Sequence, residues 1–296
     1  MRRHRTRGRG ILFPLLAGLL AGVFLVPASG AESTGSSVPR LVFRLVAKTD
    51  LWDNYGDSRG AHRHAGIDME NPWRAPVVAV EPGRVSYAES GLGGCMLYLY
   101  GRSGTMYLYI HLNNDLTARN DNRGGCVKDV TFAVPNGARV AAGEQVAWNG
   151  DSGDANGRPH LHFDVHPNGG VDVNPFRHLA RAQRPLFSAK LGSQFSLGLR
   201  GKLVGAGGGT VQVDVERVRH YPGGRWLEID ERPLELTVPP DAVVAPALAG
   251  KLTVGVHRSI AAATPLTVHT TAGRTTTEAM VGEAGVLAVS RIVADG

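Results

Sequence analysis

Two short segments of this 296-residue chain carry the residue types of a hydrolytic metal site. The first, Arg63-His64-Ala65-Gly66-Ile67-Asp68, sets a His and an Asp four positions apart. The second, Pro159-His160-Leu161-His162-Phe163-Asp164, follows nearly a hundred residues later and sets two His on alternate positions. Two imidazoles and one carboxylate form a donor set of catalytic zinc, which leaves a coordination position open for water. A further His beside such a site is suited to activating that water.

Those donors need a scaffold, and the sequence outlines a β one. In the run His160–His166, positions 160, 162, 164 and 166 point one way, while Leu161, Phe163 and Val165 point the other. The plain alternative is a half-buried strand that happens to be rich in His. Asp164 could orient a histidine as an outer-shell carboxylate, or face solvent. Upstream, Met96–Tyr100, the turn Gly101-Arg102-Ser103-Gly104 and Thr105–Leu112 read as a hairpin. Tyr107, Tyr109 and His111 share parity in its second strand, which predicts all three on one face. Pro76–Val80 reads as a buried strand stopped by Glu81-Pro82-Gly83. Asn113–Asn136 is polar and reads as a long surface loop.

Residues 1–30 read as an export signal. Five arginines precede the apolar run Ile11–Val26, and Ala28-Ser29-Gly30-Ala31 offers small residues for cleavage. The apolar run is 16 residues long, short of the roughly 20 that span a bilayer. A retained membrane anchor is the alternative reading. The leader arginines account for all but one of the six net positive charges, so no nucleic-acid surface is expected. In an exported protein the cysteine pair Cys95 and Cys126 reads as a disulfide, and neither has zinc-motif spacing. Residues 31–39 read as a linker.

The expected fold class is mainly β: an antiparallel sheet with long loops over residues 40–180, then a small all-β barrel or sandwich over 181–296. Val211–Val215, Leu234–Val238, Lys251–Val256, Pro265–Thr270 and Gly285–Val293 are its predicted strands. His220, His257 and His269 are isolated and read as surface or packing residues. His62 reads as an exposed rim, His166 as a neighbour of the site or solvent-facing, and His178 as surface.

These residues resemble the lysostaphin-type (LytM-like) zinc endopeptidases, which cut peptide cross-links of bacterial cell walls. His64-x-x-x-Asp68 with His160-x-His162 is similar to the family's signature. Gly66-Ile67-Asp68-Met69 with Ala75–Val80 and Gly83-Arg84-Val85 resembles its first core strands, Tyr109-Ile110-His111-Leu112 its "Y-x-H-L" element, Gly137–Val140 with Gly143–Gly150 its next hairpin, and Val173-Asn174-Pro175 its closing turn. The resemblance implies that His64, Asp68 and His162 bind Zn2+. It also implies that His160 and His111 assist, with His160 favoured as the base and His111 donating to the oxyanion. It implies a secreted or cell-envelope metalloendopeptidase acting on peptidoglycan peptides. The alternative it carries is an inactive wall-binding relative or an activator of another hydrolase, a kind that has typically lost zinc ligands.

Other chemistries fit less well. No His-Glu-x-x-His helix is present. Zinc dipeptidases of the D-Ala-D-Ala type use a longer His-to-Asp interval. Gly150-Asp151-Ser152-Gly153 mimics the nucleophile loop of chymotrypsin-like proteases but lacks the upstream setting for its partners. The length of Asn113–Asn136 and everything beyond residue 181 depart from the family's minimal catalytic unit.

Overall fold

The computed structural model describes residues 38–43, 45–246 and 258–295. The leader, most of the linker, the predicted strand Lys251–Val256 and His257 lie outside the described residues. Eight strands occupy the first part of the chain: β1 Ile67–Glu70, β2 Pro76–Val78, β3 Gly83–Ser90, β4 Gly94–Gly101, β5 Met106–Leu112, β6 Arg139–Val140, β7 Gln145–Trp148 and β8 His160–His166. Six of them form an antiparallel sheet in the order β1-β8-β5-β4-β3-β6. The predicted hairpin is β4–β5.

Strand β8 lies inside this sheet, between β1 and β5. Its alternation works as read. Leu161, Phe163 and Val165 are fully buried in a core that also holds Tyr107, Tyr109, Ile67 and Phe132. The opposite face carries His160, His162, Asp164 and His166. Register sets Asp68 directly across from His162, and Glu70 across from His160.

Three local expectations need correction. The residues resembling a hairpin, 137–150, hold β6 and β7, but these do not pair: β6 edges the large sheet through β3, while β7 pairs with β2. The segment Asn113–Asn136 is only partly a surface loop. Asp115, Thr131 and Phe132 are buried within it, and Phe132 stacks on Tyr87 at 3.6 Å. Phe132, together with Val134 and Cys126, brings the chain back to the core. Third, Tyr107, Tyr109 and His111 do not share a face. The β4–β5 register slips by one residue between Cys95 and Leu97, and His111 has φ +62°. This β-bulge interrupts the alternation, so the two tyrosines enter the core while His111 swings to the histidine side.

Cys95 and Cys126 form a disulfide that ties the 113–136 segment to β4. Beyond residue 190 lie β9 Gln194–Gly207, β10 Thr210–Tyr221, β11 Trp226–Thr237, β12 Val243–Val244, β13 Arg258–Thr270, β14 Gly273–Arg274 and β15 Val289–Ala294. They form one seven-stranded sheet, ordered β11-β10-β9-β13-β15-β12 with β14 on β9. Thr237 at the end of β11 bridges Ala288 beside β15, so the sheet curls until its ends meet, in the manner of a small barrel.

The segment 41–48 touches both sheets. Leu41, Phe43 and Leu45 enter the first core, while Val42 and Val46 pack with Val78, Val281 and Leu227. Lys48 N donates to Glu228 O at 2.8 Å. Among the described residues no helix is long and apolar enough to cross a membrane.

Candidate metal centre

Strand pairing delivers Asp68 and His162 as cross-strand neighbours, and the turn entering β1 brings His64 above them. His64 Nε2 lies 2.9 Å from Asp68 Oδ1 and 2.9 Å from His162 Nδ1; His162 Nδ1 lies 2.7 Å from Asp68 Oδ1. These three atoms form a group able to hold a metal ion.

The outer partners determine what the donors present. His64 Nδ1 is 2.7 Å from the Asn54 carbonyl, which can only accept, so the proton sits on Nδ1 and Nε2 keeps its lone pair. His162 Nε2 is 2.6 Å from Asp164 Oδ1, so Nδ1 is its bare nitrogen. Two imidazole lone pairs and a carboxylate oxygen therefore crowd together, an arrangement that repels itself unless a cation or a proton enters. The donor set fits zinc, with room for a non-protein ligand.

The titration shifts express the same crowding. Burial works against charge on Asp68, yet hydrogen bonds with His162 and His64 hold its carboxyl well below the usual carboxylate range. Burial likewise disfavours a charged His162, but Asp164 and then Asp68 reverse this and push it up to about 9. Asp164 is nearly buried, and its pairing with His162 overcomes that burial to bring it to about 2. Without a metal, a proton on His162 takes the cation's place.

His111 and His160 stand beside this group, with ring centroids 4.7 Å apart. His111 Nδ1 donates to the Ser152 carbonyl at 2.9 Å, and His160 Nδ1 to the Arg158 carbonyl at 2.8 Å. Each neutral ring thus leaves Nε2 as an acceptor. Burial, then repulsion from His160, pushes His111 down to about 4 and keeps it neutral at ordinary pH.

Several contributors were not singled out from the sequence. Asn54 is buried and holds both candidate ligands of the first segment: its carbonyl takes His64, its Oδ1 accepts from Asp68 N at 3.1 Å, and its Nδ2 donates to Asp68 O at 3.0 Å. Arg59 pairs with Asp68 Oδ2. Only the turn-forming residues Asp53-Asn54-Tyr55-Gly56 hinted at such a bracket. Ser152 is no nucleophile. Its hydroxyl is buried, donating to Leu112 O at 2.6 Å and accepting from Cys95 N at 2.9 Å. His62 is exposed as expected. His166 is half-buried, 3.9 Å from Asp164.

Residues 62–175 match the sequence profile described as Peptidase family M23. This part of the chain is similar to that family. The chain is 30% identical over 149 residues to the murein hydrolase activator NlpD of Salmonella dublin, and 28% identical over 144 residues to its namesake in Escherichia coli K12. These alignments cover 50% and 49% of this chain, but 34% and 33% of those proteins, so the match spans about a third of the relatives' length. Among solved structures, the catalytic domain of lysostaphin from Staphylococcus simulans aligns at 23% identity and TM-score 0.35, over 45% of this chain and 92% of that domain. A zinc-containing peptidase from Vibrio cholerae aligns at 23% and 0.35, over 45% and 39%.

Proposed function

We propose that the protein is an exported zinc endopeptidase that hydrolyses peptide bonds of bacterial peptidoglycan. Residues 40–180 would be its catalytic unit and 181–296 an accessory β domain. The observation that carries this reading is the convergence of three ligand atoms, His64 Nε2, Asp68 Oδ1 and His162 Nδ1, with the far ring nitrogens of the two histidines held by the Asn54 carbonyl and Asp164. Zinc, when bound there, would acidify a water and polarise the scissile carbonyl.

The rest is work for the chain's own groups. His160 and His111 each spend Nδ1 on a carbonyl, which leaves Nε2 as the atom that would take a proton from the attacking water and return it to the leaving amine. Once protonated, His111 could also donate to the oxyanion, the role its resemblance suggested. Its low proton affinity makes that charged state short-lived, which favours quick return of the proton.

A second reading is an activator of another cell-wall hydrolase. The names of the curated relatives favour it over catalysis, although the alignments cover only about a third of those proteins. The intact donor set favours catalysis. Purified protein incubated with peptidoglycan separates the two readings, with metal analysis and mass spectrometry of released termini. Stoichiometric zinc and new peptide termini, lost with a chelator and in His162→Ala, are expected. Intact peptidoglycan, together with faster digestion by a second wall hydrolase, would establish the activator reading instead.

A further inference from the structure

On the 113–136 side of the metal centre lies an open depression of about 320 Å³, walled by Asn114, Asn120, Asp121, Asn122, Asp151 and Asn156 among others. None of these six side chains offers an imidazole, thiol or cation. Three of them point a buried oxygen at no protein donor: Asp151 Oδ1, Asn114 Oδ1 and Asn122 Oδ1. A buried acceptor without a partner costs about 1–3 kcal/mol, more if charged, so each of the three calls for a ligand.

Asp151 is the decisive group. It is fully buried. Its Oδ2 is satisfied by Asn120 Nδ2 at 2.8 Å and Gly157 N at 2.7 Å, which leaves Oδ1 unmatched. Neighbouring Asp115 shows the contrast: Oδ1 accepts from Asp121 N and Asn122 N, and Oδ2 from Trp73 Nε1, so its carboxylate is consumed in shaping the loop. Asn122 Nδ2 donates to Asn156 Oδ1 at 2.9 Å, which leaves its Oδ1 unmatched.

We propose that this depression binds a divalent cation of the calcium class, with Asp151, Asn114 and Asn122 as oxygen ligands. An all-oxygen site made of carboxylate and amide carbonyls on loops suits calcium, which accepts irregular coordination. Magnesium demands a stricter octahedron, and zinc prefers the nitrogen-rich centre next door. So few carboxylates place the affinity in the weak, extracellular range, about 10⁻⁴–10⁻³ M. The ion would pin the 114–122 loop to the 151–157 loop. The latter carries Ser152, whose carbonyl holds His111. The binding site stands apart from the proposed function; only its effect on His111 rests on it.

The test is calorimetric titration of calcium chloride into the full chain carrying one equivalent of zinc, alongside thermal melts. One calcium per chain, a raised Tm and unchanged zinc content are expected. Asp151→Asn should weaken binding at least tenfold. Asn114→Asp adds a carboxylate and should tighten it severalfold, which guards against a variant that merely misfolds. Absence of binding heat and of a Tm shift at about 10⁻² M calcium, ten times the weak end of the range, would show a depression filled by water alone. Wild-type affinity in both variants would overturn the assignment equally.

Discussion

His162 Nε2 stands 2.6 Å from Asp164 Oδ1, two residues along the same strand, and that contact decides which ring nitrogen faces Asp68. Asp164 is the carboxylate behind a candidate ligand rather than a candidate ligand itself. Replacing it with Ala should free the tautomer and lower zinc affinity by about 10–100-fold. Competition with a chelator of known affinity measures this. Unchanged affinity would mean that His162 is oriented by something else.

Removal of the metal should make stability depend on pH in a defined window. In the metal-free protein His162 is raised to about 9 from an ordinary value of 6.5. A raised histidine contributes stability that is complete below about 6.5 and is lost as pH climbs through about 9. At roughly 1.4 kcal/mol per unit the loss is at most about 3.5 kcal/mol. The metal-free Tm should therefore fall between pH 6.5 and 9.5, while the zinc-loaded Tm stays level, and His162→Gln should remove the slope. At the acid end the sign reverses for the metal: protonated ligands release it, so zinc should leave as pH drops below about 6. A flat metal-free Tm across the alkaline window contradicts this account.

Gly66 is a third point of control. A Cβ there would meet Asp164 Oδ1 at 2.1 Å and His162 Nε2 at 2.8 Å, so the turn into β1 can approach the pair only without a side chain. Gly66→Ala should displace the carboxylate from the ring and cost about 1–3 kcal/mol by overpacking. Zinc content and the chemical-denaturation midpoint both report it. A variant with full zinc and native stability would show that the pair tolerates displacement.

Much of this centre is legible in the chain because its parts are local. The His64–Asp68 interval and the alternation of His160, His162 and Asp164 against Leu161, Phe163 and Val165 depend only on strand geometry, which a sequence carries directly. Asn54 and Gly66 are different. Asn54 acts through contacts with residues 10 and 14 positions away, and Gly66 through a pair nearly a hundred residues on, neither of which any periodicity records. Phe132 was hidden because the segment 113–136 as a whole reads as polar. His111 defeated the reading for another reason: parity holds only while register holds, and the slip beside Cys95 comes from tertiary pairing.

That slip supports a last prediction. His111 sits at φ +62° with its backbone N–H on the Gly93 carbonyl at 3.1 Å. Left-handed backbone is tolerated by Asn and His but strains β-branched residues, at a cost on the order of 1–3 kcal/mol. His111→Asn should therefore be more stable than His111→Val by about that amount, although Val is the better residue for a regular strand. Both variants lose the imidazole, so the comparison isolates the backbone from the chemistry. Urea midpoints at matched m-values provide the measurement. If the valine variant proved as stable as the asparagine variant, the strand would run straight, and His111 would point into the core with Tyr109 instead of toward His160.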